Sequence, residues 1–287
     1  MPKQNRTSDS YADTSGYSAK NSPFNITRIP AFSDNYLWLL DDGESALVVD
    51  PGDAQPIIDA LEAKNLKLDY ILTTHHHPDH IGGVDTLISR YQPEIIGPQS
   101  QYIPQVSKTV KDDEQFEIMG LNIQVIEVPG HTLDHIAYFI DSPGADNKPS
   151  AFEQPVLFCG DTLFAGGCGR VFEGTFAQMR SSLAKLKQLP ANTLIHCAHE
   201  YTQANLAFAI AVEPENQQLI DRVAEVKQMR ASNEATVPSE LALELATNPF
   251  LRYDAAAVIA VAEARKKISN LAADEVFGAI REWKDNF

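Results

Sequence analysis

The chain has 287 residues, 44% hydrophobic and 22% charged, which suits one large domain, or a domain with a small appendage, around a buried core. No apolar run approaches the roughly 18 residues of a membrane span, and a formal charge of −16 argues against nucleic acid, whose binding needs a basic face. Cys159, Cys168 and Cys197 form no CxxC pair and are too few for a disulfide framework, so reduced thiols and a cytoplasmic location are expected.

Residues 1–23 are polar, rich in Ser, Asn and Asp, and lack the apolar stretch of a signal peptide; a disordered tail is expected there. NITRI, NYLWLL and SALVVD, ending at Pro51-Gly52, read as strands between turns. AQPIIDALEAKN has helical spacing, with Ile57, Ile58 and Leu61 on one face. LDYILTT is an apolar strand that leads into a histidine cluster, and a helix follows over GGVDTLISRY. Further strands are expected at EIIG, NIQVIEV, IAYFI and PVLFCGD, with a loop of turn formers over 141–155. A helix over FAQMRSSLAKLKQL and a strand at TLIHCAH complete a layered α/β domain spanning 24–200. From Tyr201 the strand signals stop. Residues 202–230 and 254–282 are rich in Ala, Leu and Glu with helical periodicity, broken at Pro214, Pro238 and Pro249, so a helical domain is expected over 201–287.

The strongest chemical signal is Thr74-His75-His76-His77-Pro78-Asp79-His80. Four histidines and a carboxylate this close cannot all be buried without partners, and a divalent ion satisfies them. Imidazole nitrogen with carboxylate oxygen suits Zn²⁺, Fe or Mn²⁺. His75 and His77 alternate, so on an extended loop they point the same way, while Asp79 and His80 begin a turn able to face a second ion. His131 in PGHT, Asp161 in CGDT and His199 in CAHE each follow a strand, where α/β sheets gather their sites. Asp50 in VVDPGD is either a turn residue or a partner for the N–H of a ligand imidazole.

HHHPDH with PGHT, GDT and AHE resembles the HxHxDH superfamily of metallo-β-lactamase-fold hydrolases. FCGDTLFAGGCGRVFEGT, CAHEYT, NPFLR at 248–252 and the closing REWKDNF are similar to the hydroxyacylglutathione hydrolase (glyoxalase II) family. The resemblance implies a metallo-β-lactamase αββα sandwich with a C-terminal α-helical, substrate-binding domain, and a monomeric thiolester hydrolase carrying two divalent metal ions, with Zn²⁺ expected and Fe or Mn compatible. His75, His77 and His131 would hold the first ion, Asp79, His80 and His199 the second, and Asp161 would bridge them. Asp79 and Asp161 are the candidate catalytic residues. The substrate would be a glutathione thioester of a 2-hydroxy acid such as S-D-lactoylglutathione, with Arg170, Arg281 and Lys284 on the glycine carboxylate and Tyr201 donating a hydrogen bond. The alternative on the same fold is a glutathione persulfide dioxygenase with mononuclear iron. His76 occupies a variable position of the HxHxDH pattern. Two residues depart from the family's usual sequence: Asp134 stands for Gly in GHTxGH, and Phe172 for Tyr.

Overall fold

The computed structural model describes residues 16–17, 22–141 and 151–287. Most of the expected tail and of the expected loop over 141–155 lies outside them. The first sheet runs β1 (Gly16–Tyr17), β2 (Asn25–Ala31), β3 (Asn35–Asp41), β4 (Ser45–Val49), β5 (Lys67–Leu72), β6 (Glu94–Gly97) and β7 (Lys108–Thr109), in that spatial order. Antiparallel up to β4, it turns parallel where α1 (Ala54–Lys64) carries the chain from β4 to β5, and α2 (Pro78–Ile81) and α3 (Val84–Tyr91) carry it on to β6.

All seven residues of β3 are buried because both of its faces are covered. Trp38 and Leu40 point into a core shared with the second sheet, whereas Leu37 and Leu39 meet Ile57 and Leu61 of α1 and Leu87 of α3. This is period-two alternation with helices on one side and a sheet on the other. Trp38 also ties the sheets together, its indole N–H donating to Cys197 O at 3.1 Å.

The second sheet has the order β15 (Ser239–Glu240), β14 (Leu194–Cys197), β11 (Val156–Gly160), β10 (Ile136–Ile140), β9 (Leu121–Glu127), β8 (Gln115–Ile118). Between β11 and β14 lie a small hairpin, β12 (Leu163–Phe164) and β13 (Gly167–Cys168), and α4 (Phe176–Leu186). A capping box at Thr175 and Gln178 starts α4, which buries Met179, Leu183 and Leu186 in the shared core.

Beyond Tyr201 come α5 (Thr202–Val212), α6 (Gln217–Ala231), α7 (Leu241–Thr247), α8 (Ala256–Lys266) and α9 (Ala273–Asp285). The expectation that strands end here needs correction, since β15 pairs antiparallel with β14, Ser239 opposite Ile195. Two residues are too few to show a period, and their strand state is imposed by the partner. The expected strand list also omitted β1, β7, β8, β12 and β13, of which all but β8 are equally short; β1 lies within the stretch expected to be a disordered tail and pairs antiparallel with β2.

A buried polar knot fastens these helices to the hairpin. Glu244 of α7 is fully buried, ion-paired with Arg222 of α6, and accepts Gly166 N–H at 2.8 Å. Asn248 donates to Gly167 O at 2.9 Å and Phe164 O at 3.2 Å, which gives NPFLR a physical role. Breaking a buried ion pair this fully hydrogen-bonded is costly, so it fixes where the hairpin lies, and with it the segment leading to Arg170.

Candidate metal centre and its surroundings

The loop leaving β5 crosses between the sheets and enters α2, with Pro78 at its first turn. Asp50, at the end of β4, pins that loop. Its carboxylate accepts Thr74 N and Thr74 Oγ1, both at 2.7 Å, and faces His80 Nδ1 at 3.0 Å. Gly52 allows the approach, since a Cβ there would lie 1.7 Å from Asp79 O. Asp50 thus serves as the partner of a site imidazole.

Two groups of donor atoms result. In the first, His77 Nδ1 is 3.2 Å from His75 Nε2 and 3.0 Å from His131 Nε2, which is 3.3 Å from Asp161 Oδ2. In the second, Asp161 Oδ1 is 3.3 Å from His80 Nε2 and 3.4 Å from His199 Nε2. Asp79 Oδ2 lies 3.4 Å from His199 Nε2 and 3.6 Å from His80 Nε2. The two oxygens of Asp161 therefore face different groups. For ligands about 2.0–2.1 Å from a tetrahedral ion the donor–donor edge is about 3.3 Å, which these spacings match. His80 Nε2 and Asp161 Oδ1 are buried with no hydrogen-bond partner, a cost that a divalent cation relieves. The donor set suits divalent metal binding.

His131 and His199, like His80, are also held on their far sides. His131 Nδ1 donates to Arg170 O at 2.7 Å, His199 Nδ1 faces Asp34 Oδ1 at 2.8 Å, and Asn35 Nδ2 donates to Asp79 Oδ2 at 3.0 Å. His135, buried and stacked on His75 at 4.4 Å, accepts Asp161 N–H at its Nε2. Asp34, Asn35 and His135 carry no role in the sequence reading. They are positioning residues that turn donors inward and fix imidazole tautomers. Cys168 is buried, and burial pushes its thiol up to about 11, which disfavours the nucleophilic thiolate.

The electrostatics differ between the groups. Burial pushes the pKa of His75, His77 and His131 down, and that of His135 down to about 3, leaving neutral imidazoles. Burial also opposes charge on His80 and His199, but Asp161, joined by Asp50 at His80 and by Asp79 at His199, outweighs it, raising His80 well above its usual range and His199 to about 10. Burial works against ionisation of Asp161 too, yet His80 and His199 hold it well below the ordinary carboxylate range. In the metal-free protein, protons on His80 and His199 occupy the place of a cation.

Next to the donors stands Tyr201, stacked on His199 at 4.6 Å and 37% exposed. Burial, then Asp34, Asp161 and Asp79, raise its pKa, so its hydroxyl stays a donor. Phe172 is exposed, its ring 5.3 Å from that of His131 and 5.8 Å from that of His77. The expected cations gather at the end of α9. Asp285 Oδ1 pairs with Arg170 Nε at 3.2 Å and Arg281 Nη2 at 2.9 Å. Arg281 and Lys284 do share a helix, but not a solvent-facing stripe. Arg281 is 4% exposed and donates to Cys168 O at 3.0 Å, while Lys284 reaches Ala204 O at 3.3 Å. Arg281 follows Val276, Phe277 and Ile280 in the buried arc of α9, and its guanidinium turns under β13.

The chain is similar to known proteins over most of its length. Residues 32–145 match the metallo-beta-lactamase superfamily, and residues 200–287 match the hydroxyacylglutathione hydrolase C-terminus. The chain is 49% identical over 265 residues to a hydroxyacylglutathione hydrolase of Pseudomonas paraeruginosa, covering 91% of this chain and 99% of that protein. It is 48% identical over 262 residues to one from Albidiferax ferrireducens, covering 90% and 98%. Among solved structures, the BLEG-1 B3 metallo-beta-lactamase superposes with a TM-score of 0.57 at 20% identity, over 79% of this chain and 99% of that one, a likeness of fold alone. With its αββα fold, its paired donor groups and its C-terminal helices, this chain belongs to the hydroxyacylglutathione hydrolase family of the metallo-β-lactamase superfamily.

Proposed function

We propose that this protein hydrolyses S-(2-hydroxyacyl)glutathione, S-D-lactoylglutathione in particular, to glutathione and a 2-hydroxy acid, using two divalent ions of which Zn²⁺ is the expected identity. One observation carries the reading: Asp161 presents one oxygen to each of two donor groups, beside a cluster of C-terminal cations suited to a peptide carboxylate. His75, His77 and His131 would hold one ion and Asp79, His80 and His199 the other, with Asp161 available to both. Two ions so held would supply a hydroxide-strength nucleophile near neutral pH and polarise a carbonyl.

The residues of the chain do the rest. Asp79, kept in place by Asn35 and with a side chain 39% exposed, accepts a hydrogen bond from the incoming water and aims it. Asp79 and Asp161 together remove two units of positive charge from the site, leaving it positive enough to favour a developing oxyanion. A thiolate leaving group, with a conjugate acid of pKa about 8.5, departs without a strong general acid. Arg170 and Lys284 hold the glycine carboxylate, the buried Arg281 supports Arg170 from beneath through Asp285, and Tyr201 donates to the substrate. S-D-lactoylglutathione should yield thiol and lactate in equal amounts, and a chelator should abolish the reaction. Oxygen uptake with glutathione persulfide and no thioester turnover would overturn the proposal in favour of a dioxygenase.

A further inference from the structure

His76 lies between two donors of the first group yet faces away from them. On an extended loop, residues i and i+2 share one side and i+1 takes the other, so the convergence of His75 and His77 turns His76 outward. There both ring nitrogens find carboxylates: Nδ1 is 2.9 Å from Asp134 Oδ2 and 3.0 Å from Oδ1, and Nε2 is 3.4 Å from Glu173 Oε1. The imidazole and Asp134 are only 14% and 11% exposed, with the Tyr102 ring 4.6 Å away.

The two carboxylates are themselves anchored. Thr132 Oγ1 donates to Asp134 at 2.7 Å, and Leu133 N to Glu173 Oε2 at 2.8 Å. Phe172 N and Glu173 N donate to His131 O at 3.2 and 3.3 Å. His76 therefore joins three segments, the loop bearing His75 and His77, the loop bearing His131, and the segment 170–173 on which His131 Nδ1 rests. The second donor group is held by other residues, Asp50, Asn35 and Asp34. A single ion takes only one nitrogen of an imidazole, and these carboxylates sit at opposite nitrogens, so the arrangement is a hydrogen-bonded clamp and not a metal site.

We propose that His76 is a positioning residue: clamped between Asp134 and Glu173, it fixes the relative placement of His75, His77 and His131, and so sets how tightly the first ion is held. The inference rests on the two-ion reading above. Its test is chelator-competed metal release from the metal-loaded enzyme, followed for each of the two equivalents. His76→Ala should speed the loss of one equivalent about 10-fold, the lower end of what a partner outside the ligand set contributes, and leave the other within about twofold. Asp134→Ala should do the same, and the double variant should add nothing further, because coupled partners lose one interaction only once. Asp134→Asn, which keeps an acceptor oxygen for the imidazole, should restore most of the grip. Equal acceleration of both equivalents would show general loosening and overturn the proposal, as would additive effects, no effect, or a third wild-type equivalent that disappears in Glu173→Gln. A wild type that holds only one ion would end the two-ion reading itself, and that is seen before any variant is made.

Discussion

Removing the metal should make the protein's stability fall more steeply as pH rises above neutral. In the folded metal-free chain His199 keeps its proton up to about pH 10, whereas in the unfolded chain an ordinary histidine loses it near 6.5. A folded-state pKa raised in this way contributes stability that is fully present below about pH 6.5 and is lost as pH rises toward the folded value. Between pH 7.5 and 8.5 the unfolded chain has already shed most of its proton and the native chain has not, so His199 alone costs about 1.3 kcal/mol over that unit. His80, also raised, acts in the same direction. His75, His77, His131 and His135 have lowered values and are neutral in both states above pH 7.5. The buried thiols of Cys159, Cys168 and Cys197, all raised, add a smaller loss common to both forms. Urea unfolding at the two pH values should therefore show the metal-free protein losing at least 1 kcal/mol more than the metal-loaded protein. Equal slopes would mean that no protons stand where the cation should, and the electrostatic account of the second donor group would fail.

Asp34→Ala frees Nδ1 of His199 and should weaken metal binding about 10- to 100-fold, measured by competition with a chromophoric chelator; unchanged affinity would reduce Asp34 to a turn residue. Lys284→Ala should raise KM roughly 10- to 100-fold with kcat largely kept, since a charge-assisted hydrogen bond to an unreacting end of the substrate contributes about 1.5–3 kcal/mol. That penalty should nearly vanish with a substrate lacking glycine. Arg281→Ala should in addition lower the melting temperature, because the guanidinium is buried against Cys168 O.

The donor set was readable because its chemistry is local. Four histidines and Asp79 fall within six residues, and period-two alternation already says that His75 and His77 converge. His131, Asp161 and His199 are legible as polar residues on strand ends, and the fold brings all three to one place. Asp34, Asn35 and His135 were not legible, because their meaning depends on tertiary pairing: Asp34 is 165 residues from His199, and in sequence it looks like any turn aspartate between two strands. Arg281 shows the converse limit. The resemblance placed it with Lys284 on the substrate, but whether that arc faces water or the core was decided by α9 packing on α4 and β13. Asp134, visible as a departure from the family's glycine, acquires a role only once His76 is seen to turn toward it.

The central claim is that Asp161 shares one site between two ions, and stepwise metal addition to the metal-free protein tests it most directly, with bound metal and thioester hydrolysis followed together. The account predicts that little activity returns with the first equivalent, that it rises with the second, and that Asp161→Asn stays inactive at either loading. Full activity at one equivalent, with the second binding silently or not at all, would contradict it.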